Sequence, residues 1–501
     1  MKDTQIEMNP NQVVRYLGKS PEEFTNKDLI KFIEGNNIEA INFRYIGGDG
    51  RLKTLNFVIT SRSQLDRLLL AGERVDGSSL FSYIDEASSD LYVIPRYKTA
   101  FVNPFSSIPT LDILCSYYTS EGVRLPDSPE NVLVRAAEVL KNGTGFSLEA
   151  MGELEYYVLS TRQHLYPTAA QRGYQESAPF CKWENLRYES MQTIARAGGN
   201  IKYGHSEVGH IYDEDQEMEQ NEIEFYPLPI EDTADQIVIA KWILRMVGYK
   251  YGVAISFVPK VSVGHAGSGL HIHTKLVKNG KNMMVEGNEL SDTAKKAIAG
   301  YLSLSTSLTA FGNTIPLSYL RLGSRQESPT NICWSDSNRS ALVRVPLGWK
   351  NVSNMIKNDS QQEAEESMGY ADRQTVEFRC PDGSANIHLL LAGLAVAARH
   401  GLEMEDALEL ANRLYVDVNI FSPEHKNIRE KLPPLPTSCW ESAECLLKDR
   451  SIYERDGVFP PMVVDGVVKI LKSYNDKDWD KQYYGKEEEI RRLVNEYFYY
   501  G

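Results

Sequence analysis

Three apolar, strand-like runs each carry two ionisable residues one position apart: Glu153 and Glu155 in MGELEYYVL, His271 and His273 in GLHIHTKL, and Glu377 and Arg379 in TVEFRCP. In a strand, residues i and i+2 share a face, so each pair projects into one common space. Charge inside a fold must be paired or metal-bound. Together the runs predict neighbouring strands of one sheet lining a cavity with carboxylates, imidazoles and a guanidinium. A metal-dependent active site is the first hypothesis. Two blander readings stand beside it: the glutamates also suit the polar side of a solvated sheet, and each histidine alone suits a packed core position.

A chain of 501 residues is long enough for two or three domains with ample core. Its net charge of -14 argues against a nucleic-acid partner, because phosphate backbones are held by clustered Lys and Arg. Anionic substrates would instead need bound cations. The N-terminal MKDTQIEMNPNQ lacks the apolar core of a signal peptide, and the longest apolar stretch, 389–398, is too short to span a bilayer. A soluble cytoplasmic protein without a membrane partner is expected. Cys115, Cys181, Cys333, Cys380, Cys439 and Cys445 show no CxxC spacing, which predicts reduced structural thiols.

Along the chain, residues 21–36 predict an amphipathic helix with Ser20 as its N-cap. INFRYIGGDGRLKTLNFVI predicts a hairpin turning at 47–50. SQLDRLLLAG reads as helix, and DLYVIP and TLDILCSYY as strands, an order that suits a small α+β domain ending near 120. A second, larger domain begins with the helix SPENVLVRAAEVLKNG, capped by Ser128, and the strand 148–159. The boundary is placed at 1–122 and 123–501. Further helices are expected at 230–250, 290–309, 387–405 and 438–448, and the acidic YDEDQEMEQNE (212–222) is expected to be a solvated loop.

The chain has no GxxxxGK[ST], complete GxGxxG, GxSxG or HExxH. Gly264-His-Ala-Gly267-Ser-Gly269, just before the paired histidines, could bring backbone close to a ligand or be an ordinary turn. Glu207 and Glu222 flank the acidic segment, and this many hard oxygen donors suits Mg²⁺ or Mn²⁺ better than zinc. Asp76-Gly-Ser-Ser79 taken alone is a turn. Arg321, Arg339, Arg344 and Arg379 suit carboxylate or phosphate, or surface salt bridges.

These residues fall in segments that resemble the glutamine synthetase family, of the bacterial type I kind. VDGSSLFSYIDEASSDLYVIP (75–95), MGELEYY, GHAGSGLHIH, NRSALVRVP (338–346) and VEFRCPDGSAN (376–386) occur in the family's order. The resemblance implies an α+β fold: an N-terminal β-grasp domain, then a catalytic domain with a funnel of antiparallel strands surrounded by helices. It implies ligation of ammonia to glutamate at the cost of ATP, through a γ-glutamyl phosphate, with two or three Mg²⁺ or Mn²⁺ ions as cofactors. Glu155, Glu207 and Glu222 would hold one ion, and Glu153, His271 and Glu377 the second.

By the same resemblance Arg321 and Arg379 grip the substrate carboxylates, with Gly267 and His271 lining the glutamate site. Arg339 and Arg344 neutralise the phosphates, while His273, Phe225 and Arg344 lie on the nucleotide. Glu327 closes over the intermediate. Asp76 binds ammonium and helps remove its proton, with Asp90 nearby. The family places the Asp76 segment across a subunit interface, which implies a ring-shaped homo-oligomer, commonly a dodecamer.

This chain departs from the family at Ala266, at Gly323 to Gln326 of the flap, at Thr375 and Lys275, and in the longer stretch between Glu207 and Glu222. Around Tyr415 it only loosely resembles the family's adenylylation loop. The nearest rival reading is a γ-glutamyl ligase of the same fold using an organic amine. A non-catalytic member would have lost ligands that this chain keeps, and an unrelated metallohydrolase would leave NRSALVRVP and the Asp76 segment unexplained.

Overall fold

Gly47 to Gly50 let the chain reverse between two alternating strands, and the β1–β2 pair forms there, with Ile46 opposite Leu52 and Ala40 opposite Val58. The computed structural model describes residues 6–84, 89–212, 215–262, 264–287, 289–323, 328–347, 359, 373–477, 479 and 486–500. In chain order its strands are β1 Ala40–Ile46, β2 Leu52–Val58, β3 Glu73–Asp76, β4 Asp90–Pro95, β5 Phe101–Val102 and β6 Thr110–Tyr118, followed by β7 Ser147–Thr161, β8 Ile201–Tyr212 and β9 Gln216–Phe225. The rest are β10 Leu228–Pro229, β11 Ala254–Ser256, β12 Leu270–Lys278, β13 Lys281–Asn282, β14 Val285–Glu286, β15 Glu289–Leu290, β16 Trp334–Asp336, β17 Val343–Val345 and β18 Val376–Phe378.

The first six strands make one sheet of order β2-β1-β6-β4-β3, with β5 beside β6. Only the β1–β6 pair is parallel. Helices Asn26–Gly35 and Arg62–Ala71 supply buried leucines and isoleucines to its core. Thr25, rather than Ser20, caps the Asn26–Gly35 helix: it exchanges bonds with Asp28 in a capping box. Ser20 caps a separate short turn, Pro21–Glu23, because Pro21 sets up its own start.

The second sheet runs β16-β17-β18-β12-β7-β9-β8, with β10 and β11 against β7 and β13 against β12. It is antiparallel except at the β16–β17 pair, so the expected funnel of antiparallel strands is a mixed sheet. On β7 and β12, Ala150, Leu154, Leu270, Ile272 and Leu276 face the helices and are fully buried. Those helices include Pro129–Thr144, Ile230–Tyr251, Asp292–Ser303 and Ile387–Glu403. The intervening residues Glu153, Glu155, His271 and His273 take the other face. The helix expected over 290–309 is two, broken at Leu304. No single helix among the described residues is long and apolar enough to cross a membrane, and the 389–398 run is buried in the core.

The segment 212–222 is not a solvated loop. From Gln216 it is strand β9, and Glu217, Glu219, Gln220 and Glu222 are all buried. At Glu219 the burial is compensated: it accepts from the Cys181 thiol at 3.1 Å, the Lys182 amide at 2.6 Å and the Trp183 amide at 3.3 Å. Charge density misled because the partners come from a distant segment.

Arg96, just after β4, reaches Asp235 of the Ile230–Tyr251 helix with two bonds of 2.6 and 2.9 Å. This bidentate pair joins the first sheet to the helix that backs the second. Burial alone would push the Asp235 carboxyl up, but Arg96 and His388 outweigh it and hold it below the usual carboxylate range. Asp235→Ala strands a largely buried guanidinium, and we expect it to lose about 3–5 kcal/mol in urea unfolding at neutral pH. Because the folded pKa is depressed, this contribution is complete above the unfolded value near ~4 and fades as pH falls through the folded one. The gap between wild type and variant should therefore narrow only in strong acid.

Candidate active site

Strand register turns the three sequence pairs into rows across one face. Glu153 on β7 stands opposite His271 on β12 and Glu224 on β9, and Glu224 opposite Tyr203 on β8. One step along, Glu155 faces Glu222, which faces His205. One step the other way, His273 faces Glu377 on β18, which faces Arg344 on β17. The polar face is therefore a grid of carboxylates, imidazoles and arginines.

Glu153 is held by both histidines: Oε2 lies 2.9 Å from His271 Nδ1 and Oε1 lies 2.7 Å from His273 Nε2. His273 Nδ1 meets the Thr375 hydroxyl at 2.9 Å. Burial would raise the Glu153 carboxyl, yet the neighbouring imidazoles reverse this and hold it well below the usual range. Burial likewise would lower His273, and Glu153, Glu377 and Glu224 together raise it. Glu377 lies 3.5 Å from His271 Nδ1 and accepts from Arg344 Nη1 at 2.8 Å and Arg379 Nε at 2.9 Å. Both arginines are thus partly neutralised by Glu377, and their reach toward an anion depends on what else Glu377 binds.

Around Glu222 the compensation is incomplete. His205 Nε2 lies 3.3 Å from Glu222 and its Nδ1 3.8 Å from Glu207. Burial first, then Glu153, Glu155, Glu207 and Glu224, push the Glu222 carboxyl well above its usual value. Glu155 accepts from the Gly269 amide at 2.6 Å and from Gln220 Nε2 at 3.2 Å. Glu224 is satisfied by Lys202 at 2.6 Å and by the Tyr203 hydroxyl.

Ligand atoms of Glu153, His273 and Glu377 lie within 4.8 Å of one another; so do those of His205, Glu207 and Glu222, and of Glu153, Glu222 and Glu224. A crowd of mutually repelling carboxylates with imidazole nitrogens fits hard divalent cations. His205 and Glu224 carry this chemistry and were not singled out from sequence. Glu224 follows Glu222 at i+2, the very spacing that marked the other pairs, and His205 precedes Glu207 by two; both signals lay inside the acidic segment and its approach.

The glycine-rich loop fits closely against the site. A Cβ on Gly267 would sit 2.5 Å from the Pro259 carbonyl and 3.0 Å from Arg321 Cγ, and one on Gly269 would sit 2.6 Å from Arg321 Nη2 and 2.7 Å from His271 Nε2. Gln220 donates to the Gly267 carbonyl at 3.0 Å, and Gln171 accepts from the Ala266 amide at 2.7 Å. Arg321 is buried and donates to the Cys380 carbonyl at 2.8 Å.

The remaining expected residues are spread more widely. Phe225 is fully buried, and β9 alternation puts its side chain on the helix-facing side, opposite to Glu222 and Glu224. Arg339 is exposed, and its carbonyl accepts from Arg379 Nη1. Lys275 pairs with Glu149 at 2.9 Å. Glu327 and the flap residues 324–326 lie outside the described residues. Asp76 and Asp90 face each other on β3 and β4, both exposed. Asp76 accepts from the Ser78 amide and hydroxyl at 3.0 and 2.7 Å and from Ser79 at 2.6 Å, and these bonds hold its carboxyl below the usual range.

Two family profiles match the chain. The profile of the glutamine synthetase catalytic domain matches residues 126–482, and that of the glutamine synthetase beta-Grasp domain matches 37–120. The chain is 29% identical over 446 residues to glutamine synthetase of Thermus thermophilus, covering 87% of this chain and 92% of that one. It is 28% identical over 476 residues to glutamine synthetase of Clostridium saccharobutylicum, covering 92% and 99%. Among solved structures, Plasmodium falciparum glutamine synthetase superposes with a TM-score of 0.74 at 20% identity, covering 92% and 99%. A GmaS/ADP complex superposes with a TM-score of 0.70 at 17% identity, covering 93% and 99%.

Gly269→Ala should force Arg321 or His271 aside while leaving the helix-facing core alone. We expect Mn²⁺ affinity, read by electron paramagnetic resonance, to fall at least tenfold, with the far-UV spectrum of the protein unchanged.

Proposed function

Because the chain belongs to the glutamine synthetase family, we propose that it is an ATP-dependent ligase joining ammonia to the side-chain carboxylate of glutamate. The product is glutamine. The observation that carries this reading is the donor grid itself: Glu153, Glu155, Glu207, Glu222, His271 and Glu377 converge on one face with the glycine loop and three arginines around it. Two or three Mg²⁺ or Mn²⁺ ions would be held by Glu155, Glu207 and Glu222, with His205 beside them, and by Glu153, His271 and Glu377; bound there, they would screen the phosphate charge of ATP.

The protein's own groups then position and protect. Arg321 lies against the loop at Gly267 and Gly269, and it and Arg379 take the glutamate carboxylates, which guanidinium forks suit. Arg344, with Arg339, meets the transferring phosphoryl group, so that negative charge spread over its oxygens is stabilised in place. The γ-carboxylate attacks the γ-phosphoryl of ATP, ADP leaves, and the resulting γ-glutamyl phosphate must be kept from water until ammonia attacks its acyl carbon and phosphate departs. Glu327 closes over it. His273 and the backbone at Phe225 face the nucleotide.

Asp76, with Asp90 near it, receives ammonium and takes its proton. Both are exposed and bonded within their own sheet and loop. They stand open to a partner, and by the family resemblance they complete a neighbouring subunit's site in a ring-shaped homo-oligomer, of the dodecamer kind. The domains divide as 1–122 and 123–501, and the protein works in the cytoplasm on small molecules. One second reading, a γ-glutamyl ligase of the same fold with an organic amine in place of ammonia, is separated from the first by the choice of acceptor.

Phosphate release from ATP should require glutamate and Mg²⁺ and be stimulated by ammonium more than by a panel of alkylamines. Absence of ammonium stimulation overturns the reading, and a preferred alkylamine selects the second. Asp76→Ala should lose at least 100-fold in ammonium-dependent turnover while ATP affinity, measured by calorimetry, stays within threefold. Equal loss of ATP binding would contradict the assigned role.

A further inference from the structure

Strand β8 is the outer edge of the second sheet, and residues 171–175 run along it as a strap. Alternate amides of the strap bond to β8: Gln171 donates to the His210 carbonyl at 3.4 Å, Gly173 to that of Val208 at 3.3 Å and Gln175 to that of Ser206 at 2.9 Å. The Ser206 hydroxyl returns a bond to the Gly173 carbonyl at 2.7 Å. A Cβ on Gly173 would sit 2.5 Å from the Glu207 carbonyl oxygen, so the strap lies close against the strand that carries Glu207. Gln171 and Gln175 both have left-handed backbone, at φ 57° and 56°. Glutamine rarely adopts this conformation, and the bonds around it hold it there.

From this backbone the Gln171 side chain crosses to the glycine loop. Its Oε1 accepts from the Ala266 amide at 2.7 Å, while its Nε2 donates to the same His210 carbonyl at 3.3 Å. One end of the side-chain amide is thus fixed on β8 and the other on the loop. The loop's carbonyls are held separately, that of His265 by Lys260, that of Ala266 by the Tyr157 hydroxyl at 2.8 Å and that of Gly267 by Gln220 at 3.0 Å. Side-chain oxygens take two of its amides, Gln171 at Ala266 and Glu155 at Gly269, one on each side of Gly267. The methyl group of Ala266 has no polar atom to anchor the loop there, so its amide is the group available to be held. We propose that Gln171 is a positioning residue for the glutamate site: by holding the Ala266 amide it fixes where Gly267 stands against Arg321. This role rests on the functional reading above, which places glutamate at Gly267 and Arg321. A Cβ on Gly267 would come within 3.0 Å of Arg321 Cγ, so the loop and the arginine are already in close contact. Small displacements of Gly267 therefore change the space between them, and affinity for a substrate gripped there depends on that fit.

Gln171→Met keeps the length of the side chain and removes only its polar end. In the full chain it should raise the KM for L-glutamate about tenfold. The KM for ATP and the Mn²⁺ affinity, read by electron paramagnetic resonance, should stay within about twofold of wild type. Amide hydrogen exchange across 264–269, followed by mass spectrometry, should quicken in the variant. Gln171→Glu retains an acceptor oxygen for the Ala266 amide and should lower the glutamate KM at least threefold from that of Gln171→Met. The proposal is overturned if Gln171→Met takes glutamate as wild type does, if glutamate and ATP are weakened equally, or if Gln171→Glu is no better than Gln171→Met. Calorimetry of wild type with L-glutamate and Mg²⁺ separates the two levels: no binding there overturns the functional reading, and this role falls with it.

Discussion

Everything on the catalytic face depends on two pairs of like charges set directly opposite each other across β7 and β9, Glu153 with Glu224 and Glu155 with Glu222. Such pairs oppose strand pairing. The sheet forms because each carboxylate but one is offset by something nearby: Glu153 by two imidazoles, Glu224 by Lys202 and Tyr203, Glu155 by the Gly269 amide. Glu222 is the remainder: His205 at 3.3 Å does not outweigh burial and four neighbouring carboxylates, and the Glu222 carboxyl is pushed toward the protonated form. A cation entering there would relieve repulsion that the fold already bears. Stability and metal affinity thus trade against one another at a single register position.

The other face makes this tolerable. Leu154, Ile223, Leu270 and Ile272 alternate with the charged residues and pack against the long helices, so the strands cannot spread to separate the carboxylates. The first turns of the helix Ile230–Tyr251 are tied to both sheets. Thr233 donates to the Ala150 carbonyl of β7 at 2.8 Å, and Asp235 takes Arg96 from the first sheet. One helix start thus bonds both to the first sheet's Arg96 and to the strand bearing Glu153 and Glu155.

The period-two pairs were legible because a strand writes its two faces directly into the sequence. Both hairpin strands of the first sheet and the charged runs on β7, β12 and β18 follow from that periodicity, and the long helices from the 3.6-residue one. The roles of Arg321 and Asp76 did not follow from it; they came from resemblance. What escaped was β9. Its acids alternate as neatly as those of β7, but Glu217 and Glu219 bury on one side and Gln220 and Glu222 on the other, so neither face is apolar and the pattern looks like a solvated run. Only partners more than 30 residues away, Cys181 and Lys182, reveal that the segment is interior. His205 and Glu224 were lost with it. The caps show the same limit at short range, since Ser20 and Thr25 are both competent and Asp28 decides between them.

The grid also has a direction. From β17 to β8 the sheet passes from Arg344 through Glu377 with Arg379, the two histidines, and Glu153 with Glu155, to Glu222, Glu207 and His205. Guanidinium dominates one edge and carboxylate the other, with titratable imidazole between them. A net charge of -14 on the chain would repel an anionic substrate at long range, so anions must be captured locally. The arginine edge, with Arg321 buried beside the Gly267–Gly269 loop, is the part of the face built to do that. The carboxylate edge would gather cations instead. A substrate carrying phosphates, carboxylates and bound cations together can satisfy both edges at once only by lying across the strands. The order of strands therefore orients it, and this ordering requires no residue beyond those that the register already brings to one face.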